Sequence, residues 1–231
     1  PGELALFIDH SQLHYLESMM WNRGYLSDDQ MAGAFQLLRT NDLIWSRLVH
    51  DYLMGGRTKM TDLMAWNADA TRMPYRMHSE YLRQLFLNND LAESRLVVEG
   101  RPISLMEIKS PIFAVGTEHD HVAPWRSNYK INALTDTDVT YVLTSGGHNA
   151  GIVSEPNHRG RRYRVLGDTG DGHYVDPDSF LSRATVMEGS WWHEWARWLN
   201  THSSPLTKPP AMGSRKYRPV CDAPGEYVMQ A

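Results

Sequence analysis

Two side chains suited to acid–base chemistry, Asp120 and His148, each follow a short apolar run of the sequence. Asp120 comes just after residues 112–115, and His148 comes just after residues 139–143. A histidine whose far ring nitrogen is held by a carboxylate can take the proton of a thiol or hydroxyl, which is mostly protonated at neutral pH. The spacing therefore predicts a catalytic pair in which Asp120 orients His148, the base that activates a nucleophile.

The two apolar runs predict the strands that bring this pair together. Each run is short and continuously apolar, which is typical of a strand buried on both faces of a parallel sheet. Residues 124–134 between them predict a helix with proline near its first turn, so the whole segment predicts a right-handed βαβ unit. Both polar side chains then lie at the carboxyl ends of adjacent strands, and Gly146 and Gly147 allow a sharp turn before His148.

An acid followed by a histidine, one strand apart, is the order found in α/β-hydrolase folds, in which the nucleophile comes earlier in the chain. A purely structural interpretation stays open, because Asp120 can also cap a helix that starts near Val122, and His148 can be a turn residue. Spacing alone favours neither interpretation.

The remaining elements predict three regions of the chain. Residues 1–90 have helical periodicity and predict a helical region, with helices around residues 13–20, after Ser27, from Asn41 to Leu53, and over residues 75–87. Residues 91–202 predict an α/β region, which starts with a hairpin or paired arms around Glu99–Gly100 and ends with a helix over residues 190–202. Residues 203–231 are rich in proline and glycine and predict an extended tail.

Composition and charge exclude several classes of function. The chain has 231 residues, a net charge of −4 and a pI near 6.3, so we expect no nucleic-acid partner and no binding to an anionic membrane. No apolar run approaches the ~20 residues of a membrane-spanning helix. Cys221 is the single cysteine, which cannot form an internal disulfide or a zinc cluster and fits a reducing compartment.

Three side-chain groups are predicted to be structural. His10 and His14 have the spacing of metal ligands on a helix but no evident third ligand, so we expect a solvent-facing pair and no metal site. The dense basic cluster at residues 159–164 is predicted to be a solvated loop. In the last helix, Trp191, Trp195 and Trp198 share the face predicted to pack on the sheet, whereas Trp192 points elsewhere.

Five segments resemble those of polyhydroxyalkanoate (poly-3-hydroxybutyrate) synthases. Gly116–Trp125 resembles the motif that carries the family's acid, and Ser145–Val153 resembles the motif that carries its histidine. Asn41–Trp45 and Trp66–Pro74 are similar to two segments of the family's cap, and Asp222–Val228 is similar to its C-terminus. All five occur in the family's order, and they cover essentially the whole chain.

The resemblance implies an α/β-hydrolase fold, C-terminal portion, in which residues 1–90 form a helical cap and residues 91–202 form the last strands and helices of the core. The family joins 3-hydroxyacyl groups from coenzyme A thioesters into a polyester by means of a cysteine nucleophile. By resemblance, His148 is the base that forms the thiolate, and Asp120 is its acidic partner and helps to activate the incoming hydroxyl. His121 beside it is a weaker candidate for the electrostatics of the site, with a structural role as the alternative.

The resemblance also implies partners and a location. The expected partners are 3-hydroxyacyl-coenzyme A as a substrate, the growing polyester chain and the surface of a polymer granule, with self-association through the cap. The expected location is the cytoplasm, at polyester granules. No cofactor is expected.

The chain departs from the family at the nucleophile. The family carries a Gly-x-Cys-x-Gly elbow, and this sequence has none. Cys221 lies in a proline-bounded tail, not at a strand-to-helix turn, so we expect that it is not the nucleophile. The expectation is that the chain begins just before the cap of a longer protein and is inactive alone. Two alternatives stay open, namely a related ester hydrolase and a non-catalytic module that binds a partner or a granule.

Overall fold

The computed structural model describes residues 8–27, 48–57, 72–166 and 174–223, together with residues 30, 45, 62, 65, 225 and 226. The helix predicted after Ser27, most of the helix predicted from Asn41 and the segment 66–71 lie outside the described residues. Contacts between backbone positions divide the chain into two units, residues 1–192 and residues 193–231.

Helices predominate in the described part of residues 1–90, as the periodicity predicts. Helix α1 (His10–Trp21) begins after Asp9, whose carboxylate accepts a 2.8 Å hydrogen bond from the Gln12 backbone N–H. Gly24, with φ +77°, follows the helix in the left-handed conformation that favours glycine. The next elements are β1 (Tyr25–Leu26), a π-helical turn (Leu48–Leu53), β2 (Met73–Pro74), α2 (Tyr75–Tyr81) and a second π-helical stretch (Leu82–Leu87).

Glu17 on α1 holds the first helix against α2. Its carboxylate accepts hydrogen bonds from the Ser79 hydroxyl and, at 2.8 Å, from the Arg83 guanidinium. These contacts, led by the bond from Ser79, keep the pKa of Glu17 below its ordinary value despite partial burial. Antiparallel pairing of β1 with β2 adds a second link between the same segments.

A small hairpin separates the helical region from the main sheet. Strands β3 (Val97–Val98) and β4 (Arg101–Pro102) pair antiparallel around Glu99 and Gly100, which have φ of +51° and +79°. Positive φ at both central positions is the requirement of the tightest hairpin turns. The hairpin predicted from the sequence is therefore confirmed.

The main sheet of the described residues has four strands in the order β5-β6-β7-β8. β5 (Ile112–Thr117) and β6 (Val139–Thr144) pair in parallel, which confirms the two strands predicted from the apolar runs. β7 (Arg162–Val165) and β8 (Thr185–Glu188) extend the sheet in antiparallel fashion and were not predicted. The observed class is thus α/β with a mixed sheet.

The described helices from residue 105 onward are mostly short. They are α3 (Trp125–Asn128), α4 (Ile131–Leu134), α5 (His148–Ile152), α6 (Pro177–Arg183) and α7 (Trp192–His202), with one 3₁₀ turn at Leu105–Glu107. The single helix predicted over residues 124–134 is two helices. Between them, Lys130 donates its N–H to the Ser127 carbonyl and Asn132 donates to Tyr129, so the i→i−4 ladder gives way to i→i−3 bonds.

The parallel strands are apolar on both faces because each face is covered by its own cluster. Tyr141 and Leu143 of β6 belong to a cluster with Tyr129 and Phe180, whereas Val142 belongs to a second cluster. That second cluster contains Tyr163 and Trp191 and is flanked by Phe113, Val115, Val165 and Trp192. Successive strand residues face opposite sides, so a strand covered on both sides carries a continuous apolar run.

The prediction for the basic cluster at residues 159–164 is wrong for its second half. Residues 162–165 form β7, in which Tyr163 is buried in the second apolar cluster and Arg162 and Arg164 alternate with it. The alternation with period two is that of a half-buried strand. The two arginines make this segment resemble a solvated loop in the sequence. In the structure they lie in a half-buried strand, because both pair with the Glu118 carboxylate and are not fully solvated.

The second unit contains most of α7 and the tail. Residues 203–223 contain turns, bends and irregular backbone, and Cys221 within them is an exposed free thiol. In the described part of the chain, no helix is both long enough and apolar enough to cross a membrane. The predicted boundary between cap and core near residue 90 stays a prediction.

We predict that Gly116→Ala destabilises the sheet. An added Cβ would lie 2.2 Å from the Tyr141 hydroxyl oxygen and 3.1 Å from the Trp125 Cβ, so the core must move. Overpacking of this kind costs about 1–3 kcal/mol of the free energy of unfolding, measurable by urea denaturation. In a Tyr141→Phe background, which removes the obstructing oxygen, Gly116→Ala should cost less. An equal cost in both backgrounds would contradict the proposed steric cause.

Candidate active site

The loops after β5 and β6 form the site, and backbone hydrogen bonds hold them together. The parallel register pairs Thr117 with Thr144, so both strands end at the same level. Beyond the strands, the Glu118 N–H donates to the Thr144 carbonyl at 2.9 Å, and the His119 N–H donates to the Gly146 carbonyl at 3.0 Å. The two loops therefore stay side by side past the edge of the sheet.

Gly146 allows the chain to turn from β6 into α5. It has φ +109°, and an added Cβ would lie 2.7 Å from an Arg161 guanidinium nitrogen and 3.0 Å from the Gly151 Cα. A side chain is therefore excluded both by conformation and by space. The turn ends at Gly147, and His148 is the first residue of α5.

Asp120 and His148 are hydrogen-bonded to each other. The Nδ1 atom of His148 lies 2.9 Å from Oδ2 and 3.0 Å from Oδ1 of Asp120. The Asp120 side chain is 6% exposed and the His148 side chain is 42% exposed. An ionised carboxylate can only accept, so Nδ1 carries the shared proton and Nε2 of a neutral ring is left as the acceptor. This is the arrangement of a histidine base oriented by an acid.

Asp120 also caps the turn that follows it. Its Oδ1 accepts from the N–H groups of Val122 and Ala123 at 2.9 and 2.8 Å, and Oδ2 accepts from the Thr117 hydroxyl at 3.3 Å. The structural and functional interpretations of Asp120 are therefore compatible, because one carboxylate serves the turn and His148 together. The predicted helix at Val122 is replaced by a turn, and α3 begins at Trp125.

The environment of Asp120 favours its ionised form. Burial by itself raises the pKa of this carboxyl, but hydrogen bonds from the Ala123 N–H, from His148 and from the Val122 N–H outweigh burial and hold the pKa below its ordinary value. Asp120 is thus a fixed anion at neutral pH.

Two tryptophans hold the helix that carries His148. The Trp191 indole N–H lies 3.2 Å from the carbonyl oxygens of both Gly151 and Ile152, and the Trp192 indole N–H donates to Ile152 at 3.0 Å. Trp191 also stacks on Phe113 of β5, so its predicted packing on the sheet is confirmed. The prediction that Trp192 points elsewhere is wrong, because a short helix leaves its terminal carbonyls in need of donors.

The hydrogen bonds described for Asp120 and His148 involve none of the other residues that the sequence predicts as candidates. His121 is half-buried in the turn after Asp120, and its role in the electrostatics of the site stays a prediction. Cys221 belongs to the second unit. His10 and His14 both lie exposed on α1, as predicted. The catalytic roles of Asp120 and His148 likewise stay predictions, to which the hydrogen bond gives a geometry.

Sequence reasoning missed residues that support the pair. Glu118 bonds to Arg162, and Arg162 in turn pairs through its backbone with Ser145, at the start of the loop that carries His148. The signal was present in the alternation of Arg162, Tyr163, Arg164 and Val165, but the density of charge suggested a loop. The bulk of Trp191 and Trp192 predicts packing, but it does not reveal the hydrogen bonds that their indole N–H groups donate.

Known proteins resemble the chain over nearly its whole length. It is 36% identical over 229 residues to the poly(3-hydroxyalkanoate) polymerase subunit PhaC of Rhizobium etli, and 38% identical over 227 residues to the poly(3-hydroxyalkanoate) polymerase of Methylorubrum extorquens. It is 33% identical over 234 residues to the polymerase subunit PhaC of Cupriavidus necator. The chain corresponds in sequence to the C-terminal part of these polymerases.

The match covers almost all of this chain but a much smaller share of each relative. It includes 98–99% of this chain but only 35–39% of the three polymerases, so the chain spans little more than a third of their length. No family model matches the chain. The resemblance to polyhydroxyalkanoate synthases that the five motifs predict is confirmed by these relatives.

We predict that Asp120 contributes to stability in a pH-dependent manner. Because the folded-state pKa is lowered, its contribution is fully present above the pKa of the unfolded chain, ~3.9, and is lost as the pH falls through the folded-state value. The difference in the free energy of unfolding between the parent and Asp120→Asn should therefore shrink as the pH falls below about 4. Urea denaturation from pH 7 downward measures it. A constant difference would contradict a stabilised carboxylate.

Proposed function

We propose that this chain is the C-terminal part of a polyhydroxyalkanoate synthase with an α/β-hydrolase core, in which His148 is the general base and Asp120 its acidic partner. The observation that carries the proposal is the hydrogen bond of 2.9 Å between a buried carboxylate and a half-exposed imidazole, at the carboxyl ends of adjacent parallel strands. Open α/β sheets hold their sites at that edge. The names of the relatives support the same reaction.

In the proposed reaction, Nε2 of His148 takes the proton of a cysteine thiol that lies outside these 231 residues. The thiolate attacks the carbonyl carbon of a 3-hydroxyacyl-coenzyme A thioester, and the bond from that carbon to the coenzyme A sulfur breaks. The departing thiolate takes the proton from the imidazolium. Transfer of the acyl group to the hydroxyl of a second hydroxyacyl unit needs the same base again, and it forms an ester and restores the thiol.

Asp120 keeps the base in one orientation through this cycle. Its two oxygens already have partners in the turn and in Thr117, so the carboxylate cannot rotate without breaking those bonds. It fixes the ring with Nδ1 protonated, and its charge favours the imidazolium formed in each proton transfer. In the proposed enzyme Asp120 also helps to activate the incoming hydroxyl, as the resemblance implies.

The proposed setting of the reaction is a polyester granule in the cytoplasm. The growing polymer and 3-hydroxyacyl-coenzyme A are the proposed substrates, and self-association through residues 1–90 is proposed with them. The names of the relatives support the polymer as a product.

The test is a chimera with a working polymerase. This chain replaces the matching C-terminal part of the Methylorubrum extorquens polymerase, and polymer formation and release of coenzyme A from 3-hydroxybutyryl-coenzyme A are measured. In an active chimera, we predict that His148→Ala and Asp120→Asn each lower turnover by about 10²–10⁴-fold, the usual contribution of a general base and of its orienting acid. Circular dichroism should show an unchanged fold, since both residues lie beyond the strands.

Matched controls separate loss of chemistry from loss of charge. His158→Ala and Asp136→Asn replace the same residue types elsewhere in the first unit, at a loop and at an exposed ion pair, and should leave turnover within about twofold. An active chimera whose turnover survives Asp120→Asn would remove the assignment of the pair. A folded chimera that releases coenzyme A from thioesters but forms no polymer would favour the ester hydrolase.

We further predict that the chain alone releases no coenzyme A, because an acid and a base without a nucleophile offer no route to an acyl-enzyme. Incubation of the purified chain with 3-hydroxybutyryl-coenzyme A and a thiol reagent that detects released coenzyme A measures this. Release that disappears in Cys221→Ala would contradict the prediction and would make Cys221 the nucleophile. The sequence encoded upstream distinguishes the remaining alternatives, since Gly-x-Cys-x-Gly favours a synthase, Gly-x-Ser-x-Gly a hydrolase, and a start codon a non-catalytic module.

A further inference from the structure

Arg162 is hydrogen-bonded both to the acid loop (residues 118–124) and to the histidine loop (residues 145–147). Its backbone N–H donates to the Ser145 hydroxyl at 3.1 Å, and its carbonyl accepts from the Ser145 N–H at 2.9 Å. Its guanidinium donates to Glu118 at 3.0 Å. Ser145 lies three residues before His148, and Glu118 lies two residues before Asp120.

The ion pair between Glu118 and Arg162 differs from an ordinary surface pair. The Glu118 side chain is 16% exposed, and Arg164 lies 3.8 Å from its second oxygen, whereas the Arg162 side chain is 48% exposed. Both arginines lie on β7, which is bonded to β6, so the carboxylate connects the acid loop to a strand outside the parallel pair. Partial burial reduces solvent screening of the pair.

From this geometry we infer that Glu118 is a positioning residue for the Asp120–His148 pair and acts through Arg162. The ion pair between Glu118 and Arg162 holds the acid loop against β7. The hydrogen bonds between Ser145 and Arg162 hold the histidine loop against the same arginine. Together they set the separation of the two loops, on which the bond between Nδ1 and the carboxylate depends. A displacement of either loop lengthens or misaligns that bond. The bond is then weaker, because the strength of a hydrogen bond falls with distance and misalignment. The inference rests on the proposed function for its catalytic meaning but concerns a bond that is measurable without turnover.

The test is the exchange of the His148 Nδ1–H proton with water, followed by NMR in the ¹⁵N-histidine-labelled chain. Arg162→Gln removes the cation and keeps the backbone pairing with Ser145. We expect the proton to exchange about fivefold faster or more, the effect of losing roughly one hydrogen bond. Glu118→Gln removes the anion of the same ion pair and should also accelerate exchange of this proton. In the active chimera, both variants should lower kcat with KM nearly unchanged.

Two further variants distinguish positioning from general stability. Arg162→Lys keeps the charge opposite Glu118 and should restore exchange to within about twofold of the parent. Arg101→Gln breaks a matched ion pair of 3.1 Å with Glu107, near the hairpin, and should leave exchange unchanged. Urea denaturation of all variants separates local loosening from global unfolding.

Exchange within about twofold of the parent in both Arg162→Gln and Glu118→Gln would overturn the inference and leave the proposed function standing. An equal acceleration in Arg162→Lys and Arg162→Gln would overturn it too, because a shared ion pair would then not be the cause. A parent chain whose Nδ1–H exchanges as fast as a free imidazole would overturn both the inference and the proposed pair. Loss of turnover in the chimera variants with unchanged exchange would place Glu118 in some other role and also contradict the inference.

Discussion

The parallel pairing of β5 with β6 is the constraint on which the rest of the site depends. Its register aligns Thr117 with Thr144, so two loops that are far apart in sequence leave the sheet at the same point. A one-residue slip would reverse the faces of every side chain in the strand and would move Asp120 away from His148. The two apolar clusters prevent that slip, because Val142 and Leu143 must stay on opposite faces. Packing of the core therefore fixes the geometry of the polar pair.

A buried carboxylate needs compensation, and Asp120 receives it from several directions. An unpaired buried ion is costly, whereas a carboxylate that accepts several hydrogen bonds stays ionised. The turn at Val122 and Ala123, the Thr117 hydroxyl and His148 supply those bonds. The same bonds that stabilise the turn keep the charge that the proposed base requires. One side chain thus serves both the local turn and the proposed base.

Helix α5 is a short element that its neighbours hold in place. Five residues form too short a helix to be stable by themselves. Thr117 lies against Gly151 so closely that no side chain fits there, and the indole N–H groups of Trp191 and Trp192 contact the last carbonyls. His148 is therefore held at both ends of its helix, by the glycine turn before it and by the tryptophans after it.

The sequence by itself determined the two parallel strands, the hairpin at Glu99–Gly100, the position of α1 and α2, and the two polar residues at the strand ends. Each of these depends on local patterns, such as a continuous apolar run, a positive-φ turn or a glycine after a helix. The motifs were also sufficient for the resemblance to polyhydroxyalkanoate synthases. They were not sufficient to choose between a capping and an orienting role for Asp120.

Only the tertiary structure decided the features that depend on partners distant in sequence. β7 could not be recognised, because its arginines are acceptable in a half-buried strand only where Glu118 compensates them. The role of Trp192 depended on the unsatisfied carbonyls of a helix about forty residues earlier in the chain. The bond between Asp120 and His148 depended on strand register. Sequence patterns record which face of an element is apolar, whereas ion pairs and hydrogen bonds between elements arise only when the packed chain brings their atoms within about 3 Å.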